Sequence, residues 1–237
     1  PFRISFFGGG TDYPAWYRQH GGAVLATTID KYCYVSCRYL PPFFEHKHRI
    51  VYSKIENVQS IDQIVHPAVR AILSDMGIER GLEIHHDGDL PARSGLGSSS
   101  SFTVGLVHTL MALQGRYVSK EYLASQAIRL EQEVMRESVG SQDQVSAAYG
   151  GFNVIEFTRD DQFIVSPMIV PRGRSEELQS HLMLFFTGLS RFATEVAKSK
   201  IENFAKKERE LKRMGEMVTE AIMILQSPET SVLEFGR

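Results

Sequence analysis

Apolar residues recur along this chain with two periods, and the switches between them mark out its elements. Residues 23–29, 32–39 and 49–53 are rich in β-branched and aromatic side chains and predict strands. After Asp62 the spacing changes. Val65, Val69, Ile72, Leu73 and Met76 fall on one stripe at helical period, and Gly77 offers the left-handed residue that ends a helix. A short strand over residues 82–86 then runs into a glycine- and serine-rich segment. Beyond it Phe102, Leu106, Leu110 and Leu113 recur every three or four residues, which predicts a buried helix stopping at Gly115. Ser119 is placed to cap the next helix, whose stripe is Leu123, Ala127, Leu130 and Val134. A polar turn follows at residues 140–144. Tyr149, Gly150 and Gly151 then turn the chain into strands at 152–157 and 163–168.

Pro167, Pro171 and Gly173 interrupt any regular element and predict a domain boundary, with residues 1–170 as one domain and 171–237 as part of a second. The second is expected to hold a strand over 181–187. A long helix should follow, carrying Val196, Ile201, Phe204, Leu211, Met214, Val218 and Leu225, with the charge-rich stretch 206–213 on its solvent side. The local pattern predicts a mixed α+β fold.

Composition narrows the function. The 237 residues are 43% hydrophobic and 23% charged, with a formal net charge of -2, which leaves no basic field to hold a nucleic acid or an anionic membrane. No apolar run approaches the roughly 20 residues of a membrane span, and no basic-then-apolar leader opens the chain, so the expected compartment is the cytoplasm. Cys33 and Cys37 lie four residues apart on one strand, roughly 13 Å at about 3.3 Å per residue. That is too far for a disulfide, and reduced structural thiols are expected. Oligomeric state is not legible. The sequence opens at Pro1 without a methionine and stops abruptly at Arg237, so an incomplete chain is expected.

The chemistry concentrates in residues 90–101. Gly95 and Gly97 permit a tight turn and close approach to a ligand, the start of the following helix favours an anion, and the serine hydroxyls add donors or Mg²⁺ ligands. A flexible polar loop is the plainer reading of a Gly-Ser run, but this one sits between a strand and an amphipathic helix. It has neither the lysine of a Walker loop nor the GxGxxG spacing. Among the remaining candidates, His85 and His86 are adjacent in a strand and cannot share one metal. His46 and His48 lack a third ligand, so a loop or strand surface is expected for them. Tyr32 and Tyr34 are expected on one strand face, and Trp16 under the loop it shares with Asp12.

Pro91, Gly95, Leu96, Gly97, Ser98 and Ser99 together resemble the ATP-binding motif Pro-x-x-x-Gly-Leu-Gly-Ser-Ser of the GHMP kinases, and Ser100 continues it. The resemblance implies the two-domain GHMP kinase fold: an N-terminal domain similar to ribosomal protein S5 domain 2 and an αβ C-terminal domain, incomplete here. It also implies ATP and Mg²⁺ as cofactors. Residues 1–13 look like the sugar-recognition motif of galactokinase-type members, with Arg3 at a basic position and Gly9, Gly10, Thr11 and Asp12 toward the substrate. A helix cap is the alternative for Asp12. Galactokinases carry Glu-His where this chain has Gly9-Gly10, which points away from galactose. In the family a glutamate matching Glu131 helps hold Mg²⁺ with a serine matching Ser98, and an aspartate matching Asp143 is the catalytic acid-base group. Glu133 competes with Glu131, whose plainer reading is a solvated face; the plainer reading of Asp143 is a loop cap. Arg3 is expected beside Asp143, offsetting charge on the transferring phosphoryl group. Residues 52–54 lie where family members contact the adenine.

The combined segments 1–14, 52–56 and 140–144 look most like those of heptose 7-phosphate kinases within the family. That likeness implies ATP and a sugar or sugar phosphate as partners, with fucose kinases as nearest rivals and a non-catalytic sugar or nucleotide sensor as the alternative of another class. The family's third, glycine-rich motif is not found after Gly188; truncation is the simpler explanation of that gap, and whether the chain as it stands is active is not legible.

Overall fold

Strand β2 (Gly22–Thr28) organises one half of the molecule, because its neighbouring residues Val24 and Leu25 point to opposite faces and both are fully buried. The structure, a computed structural model, describes residues 1–91, 94–171, 173–185 and 204–237. β1 (Arg3–Phe7), β2, β7 (Phe152–Phe157) and β8 (Phe163–Pro167) form an antiparallel sheet in the order β1-β2-β7-β8. On one face Val24, Ile155 and Phe157 pack against Tyr17, Ala124 and Val145. On the other, Leu25 meets Leu178, Val218, Ala221 and Leu225. A sheet covered on both faces must be apolar on both, which is why the β2 sequence does not alternate.

The second sheet runs β3-β6-β4-β5, from β3 (Cys33–Tyr39), β4 (His48–Val51), β5 (Ile55–Val58) and β6 (Leu82–Gly88), with β4 and β6 parallel and the other pairs antiparallel. Between the sheets lie α3 (Ser98–Leu113), α4 (Lys120–Arg129) and α5 (Gln142–Tyr149). α3 packs Phe102, Leu106, Val107 and Leu110 into the largest core cluster, against Ile50, Leu82 and Ile84 of the sheet and Ile72 and Leu73 of α2 (Pro67–Asp75). Truncating such a residue as Leu106 removes about 2–5 kcal/mol. α1 (Pro14–His20), α6 (Arg174–Ser180) and α7 (Glu208–Gln226) complete the regular elements, and α7 lays Val218, Ala221 and Leu225 on the first sheet.

Several expectations need correction. Residues 142–144 are not a turn but the first turn of α5, stabilised by partners far away in sequence. His48 is buried rather than on a surface, its Nδ1 accepting the Leu82 N–H at 3.3 Å. Val65 precedes α2 and is exposed, so the buried stripe there is Val69, Ile72 and Leu73. Of the strand expected at 181–187, residues 182–185 have no regular structure and 186–187 lie outside the described residues. Val196 and Ile201 also lie outside them, and Phe204 sits in a short 3-10 turn ahead of α7. Cys33 and Cys37 are unbridged, as their spacing requires, and burial pushes their thiols up to about 11 and about 12. Among the described residues no helix is long and apolar enough to cross a membrane.

Candidate active site

The glycine-serine segment leaves β6 and opens α3. Gly97 is the residue before the helix, at φ +76°, and Gly95 turns at φ +78°, conformations that a residue with a Cβ reaches only with strain. The helix begins without a side-chain cap. The first turn of any α-helix has N–H groups with no intrahelical acceptor, and the positive dipole end adds to their pull on an anion. Pro91 is exposed and leads into the segment; Ala92 and Arg93 lie outside the described residues. Just upstream, Asp89 steadies the approach by accepting from the Tyr32 N–H at 2.8 Å and the Tyr34 hydroxyl at 3.2 Å.

Arg3 ties this loop to α5. Its backbone N–H donates to the Leu96 carbonyl at 3.0 Å, its Nη1 to the Gly95 carbonyl at 3.0 Å, and its Nε to Asp143 Oδ1 at 2.7 Å. Nη2 lies 2.6 Å from the same oxygen. A Cβ built on Gly97 would sit 3.3 Å from Arg3 Cγ and 3.5 Å from the Asp143 carboxylate. The Asp143 carboxylate therefore lies directly at the mouth of the loop, about a quarter exposed at 26%.

Glu131 approaches from the other side. α4 ends in a π-helical turn, Leu130–Val134, in which the Met135 N–H reaches back to the Leu130 carbonyl at 2.8 Å. Such turns rotate the following side chains out of α-helical phase and occur often at functional sites. Glu131, four residues after the buried Ala127, is itself fully buried, while its competitor Glu133, two residues on and so on the opposite side of the helix, faces solvent. One Glu131 oxygen accepts from the Ser100 hydroxyl at 2.9 Å and from Gln144 Nε2 at 2.5 Å; the other has no hydrogen-bond partner. Burial pushes this carboxyl up to about 7 against the pull of the nearby Thr103 hydroxyl and of the Ser100 and Gln144 donors.

The amino-terminal turn meets the same place. Thr11 is buried and its Oγ1 lies 2.8 Å from the Gly8 carbonyl and 2.9 Å from that of Ala23, while accepting the Ala23 N–H. Asp12 is 1% exposed. It does not cap α1, whose N-cap is Tyr13; its Oδ1 accepts the Gly10 N–H at 2.9 Å, its Oδ2 the Gln142 N–H at 3.3 Å, and its carbonyl the Ser141 N–H at 2.9 Å. Asp12 thus caps α5, the helix that carries Asp143. Burial raises its carboxyl above the ordinary range, the nearby Asp143 adding to the effect.

Comparison with known proteins adds the family. Residues 63–151, which run from α2 through the loop, Glu131 and Asp143 to the end of α5, match the GHMP kinases N terminal domain. The chain carries a GHMP kinase N-terminal domain. It is 27% identical over 211 residues to the D-glycero-alpha-D-manno-heptose 7-phosphate kinase of Campylobacter jejuni, covering 84% of this chain and 62% of that protein. It is 26% identical to the bifunctional fucokinase/GDP-fucose pyrophosphorylase of Arabidopsis thaliana, of which it spans 23%. Among solved structures, a D-glycero-D-manno-heptose 1-phosphate kinase from Bacteriodes thetaiotaomicron superposes with a TM-score of 0.71 at 26% identity, over 94% of this chain and 74% of that one. The fold is the α+β GHMP kinase fold.

The structure brings together Arg3, Gly95, Gly97, Ser100, Glu131 and Asp143, and Asp12 joins the amino-terminal turn of Gly9, Gly10 and Thr11 to the start of the helix that carries Asp143. Among the described residues no cluster of three or more His, Cys, Asp or Glu could hold a metal alone. The partnerless Glu131 oxygen beside the serine-rich helix start nonetheless suits a cation completed by phosphate oxygens, the usual arrangement for Mg²⁺. Gln144, which holds Glu131 in place, was not singled out from sequence, although the polar run 140–144 contained it. Of residues 52–54, the Tyr52 hydroxyl donates to Glu56 at 2.8 Å and its ring meets His66 edge-on at 4.9 Å. Tyr32 and Tyr34 are exposed, with ring centroids 6.3 Å apart. Trp16 is buried against Phe204 and Leu211, with its ring stacked on His20 at 4.1 Å.

Proposed function

We propose that the protein is an ATP-dependent sugar kinase that transfers the γ-phosphate to the anomeric hydroxyl of D-glycero-D-manno-heptose 7-phosphate, giving the 1,7-bisphosphate. The observation that carries this reading is the Asp143 carboxylate, held by Arg3 against Gly97 at the start of α3. Phosphoryl transfer is mostly positioning and charge stabilisation, and it needs a carboxylate close to the hydroxyl that attacks. The amides of the loop and the helix dipole favour the nucleotide phosphates in front of α3. The sugar hydroxyl attacks the γ-phosphorus, the bond to the β–γ bridging oxygen breaks, ADP leaves, and Asp143 accepts the hydroxyl proton. Arg3, paired with Asp143, offsets charge as the phosphoryl group passes. Mg²⁺, held by Glu131, Ser98 and the phosphates, would neutralise phosphate charge. Residues 1–170 would then form the nucleotide- and sugar-binding domain, with 171–237 part of the C-terminal domain.

The heptose assignment draws on the Campylobacter and Bacteriodes relatives, whose names place the phosphate at carbon 7 in one and carbon 1 in the other. Fucose is the second reading, favoured by the identity to the plant fucokinase. ATP consumption by the full-length protein, measured with heptose 7-phosphate, fucose and galactose, separates these substrates. Asp143→Ala should lower kcat by roughly 10²–10⁴-fold with ATP affinity retained. Unchanged turnover in that variant would overturn the mechanism.

A further inference from the structure

Glu131 and Gln144 meet in the core, and both side chains are fully buried. Gln144 Nε2 donates to Glu131 Oε2 at 2.5 Å, and the Ser100 hydroxyl donates to the same oxygen at 2.9 Å. The amide must stand this way round, because an ionised carboxylate accepts and never donates. Gln144 Oε1 is thereby left as a buried acceptor without a partner. Such an acceptor is unfavourable, and an apolar side chain of similar size would pack there without that cost. Folding alone does not explain a glutamine at this position.

Its effect on Glu131 does. A carboxylate turns about its last bond in a broad, two-fold well, so its oxygens exchange places unless something holds one of them. Here two donors from two elements, α3 and α5, fall on one oxygen, and Oε1 is the oxygen left without a partner. The same contact joins Glu131 to the base. Gln144 directly follows Asp143, and the two side chains leave α5 about 100° apart around the helix. One reaches Arg3 beside Gly97, and the other reaches Glu131.

We infer that Gln144 is a positioning residue for Mg²⁺: its amide, with the Ser100 hydroxyl, pins Glu131 Oε2 and so keeps Oε1 for the cation. The inference deepens the proposed kinase reading and rests on the cation role which that reading gives Glu131. Hydrogen bonds to a ligating carboxylate fix its orientation, and losing one weakens metal binding by roughly 10–100-fold. Glutamine is the side chain that suits the task. Glutamate would set a second negative charge against Glu131, and asparagine is one methylene shorter.

The test uses the full-length protein with a non-hydrolysable ATP analogue and Mn²⁺ as the spectroscopic substitute for Mg²⁺, with free Mn²⁺ read by electron paramagnetic resonance. The variants are Gln144→Met, Ser100→Ala and Glu131→Gln. Gln144→Met keeps the bulk and loses the donor, so it should weaken Mn²⁺ binding to the protein–nucleotide complex by roughly 10–100-fold. The Mg²⁺ concentration for half-maximal turnover should rise by a similar factor, and kcat should recover at saturating Mg²⁺. Affinity for metal-free nucleotide, KM for the sugar and the unfolding midpoint should stay near the parent values. Ser100→Ala removes the other donor to the same oxygen and carries the test where Gln144→Met fails to fold; unchanged Mn²⁺ affinity there would then overturn the inference. Mn²⁺ affinity kept in Gln144→Met but lost in Glu131→Gln would sink it while leaving the kinase reading intact. Mn²⁺ affinity kept in Glu131→Gln would remove the cation role of Glu131 and the inference with it. Parallel losses in metal-free nucleotide affinity, sugar KM and midpoint, with no recovery at high Mg²⁺, would overturn it as the mark of a purely structural role. A parent that binds nucleotide and Mn²⁺ yet phosphorylates no sugar would overturn the kinase reading alone.

Discussion

Asp143 and the loop meet at Gly97, where an added methyl would press on Arg3 Cγ and touch the carboxylate. Any residue there must adopt φ +76° and place a Cβ 3.3 Å from Arg3 Cγ and 3.5 Å from the Asp143 carboxylate. Gly97→Ala therefore carries two separable costs. Backbone strain of about 1–2 kcal/mol lowers the unfolding midpoint, and displacement of the Arg3–Asp143 pair lowers kcat. Gly77 supplies the control, since it has φ +60° at the end of α2 with nothing within 4 Å of a built Cβ. Gly77→Ala should lower the midpoint by a similar amount and leave kcat alone. Parallel unfolding and turnover measurements decide the matter, and a kcat unchanged in Gly97→Ala would show that the contact does not position the carboxylate.

At the scale of elements, the site depends on how α5 is docked. Gly140 passes so close to Asp12 that a Cβ on it would lie 1.9 Å from Oδ2. Gly140→Ala must push the amino-terminal turn away from the start of α5, an overpacking of roughly 1–3 kcal/mol. Asp12→Gly removes the obstacle, so the double variant should be more stable than the sum of the two single losses allows, a coupling that thermal or denaturant unfolding reads directly. Strict additivity would mean that the two residues do not share this joint. The element-level lesson about legibility lies here as well. The loop from Gly95 to Ser100 could be read from sequence because its composition and its place between strand and helix are local. The partnership of Arg3 with Asp143 spans 140 residues, and only the family resemblance placed the two together. Residues 142–144 were misread as a turn because their polarity resembles loop chemistry, whereas what makes them helical is the distant Asp12 carboxylate accepting the Gln142 N–H. The π-helical turn at Leu130–Val134 leaves no mark on a pattern of apolar residues.

Over the whole molecule, three histidines are held neutral by the fold. His48 accepts the Leu82 N–H, His66 accepts the Val69 N–H through Nδ1 at 3.4 Å, and His86 lies against the Phe102 ring at 4.5 Å. Burial lowers all three below 6.5, and for His66 the nearby His86 adds to the effect. A base with a depressed folded pKa is neutral in both states well above 6.5, so its stability contribution is complete there. As pH falls through 6.5 the unfolded chain takes up the proton first, and stability drops by up to about 1.4 kcal/mol per pH unit for each such group. Glu131 acts with the opposite sign. Its carboxyl is raised from 4.5 to about 7, so between those values the folded state holds the extra proton and stability rises as pH falls. The absolute profile of the parent is a difference of opposing slopes and identifies neither. A variant resolves them. His66→Asn keeps an oxygen acceptor for the Val69 N–H at the start of α2, where asparagine is a favoured cap, and it removes one titrating group. Denaturant unfolding at pH 8 should find the variant within about 1 kcal/mol of the parent, and at pH 5 the variant should have gained on it. A constant offset between the two proteins from pH 8 to pH 5 would show that His66 takes up its proton as readily in the fold as in the unfolded chain. The edge-on contact with Tyr52 and the helix cap would then tolerate a charge that their geometry argues against.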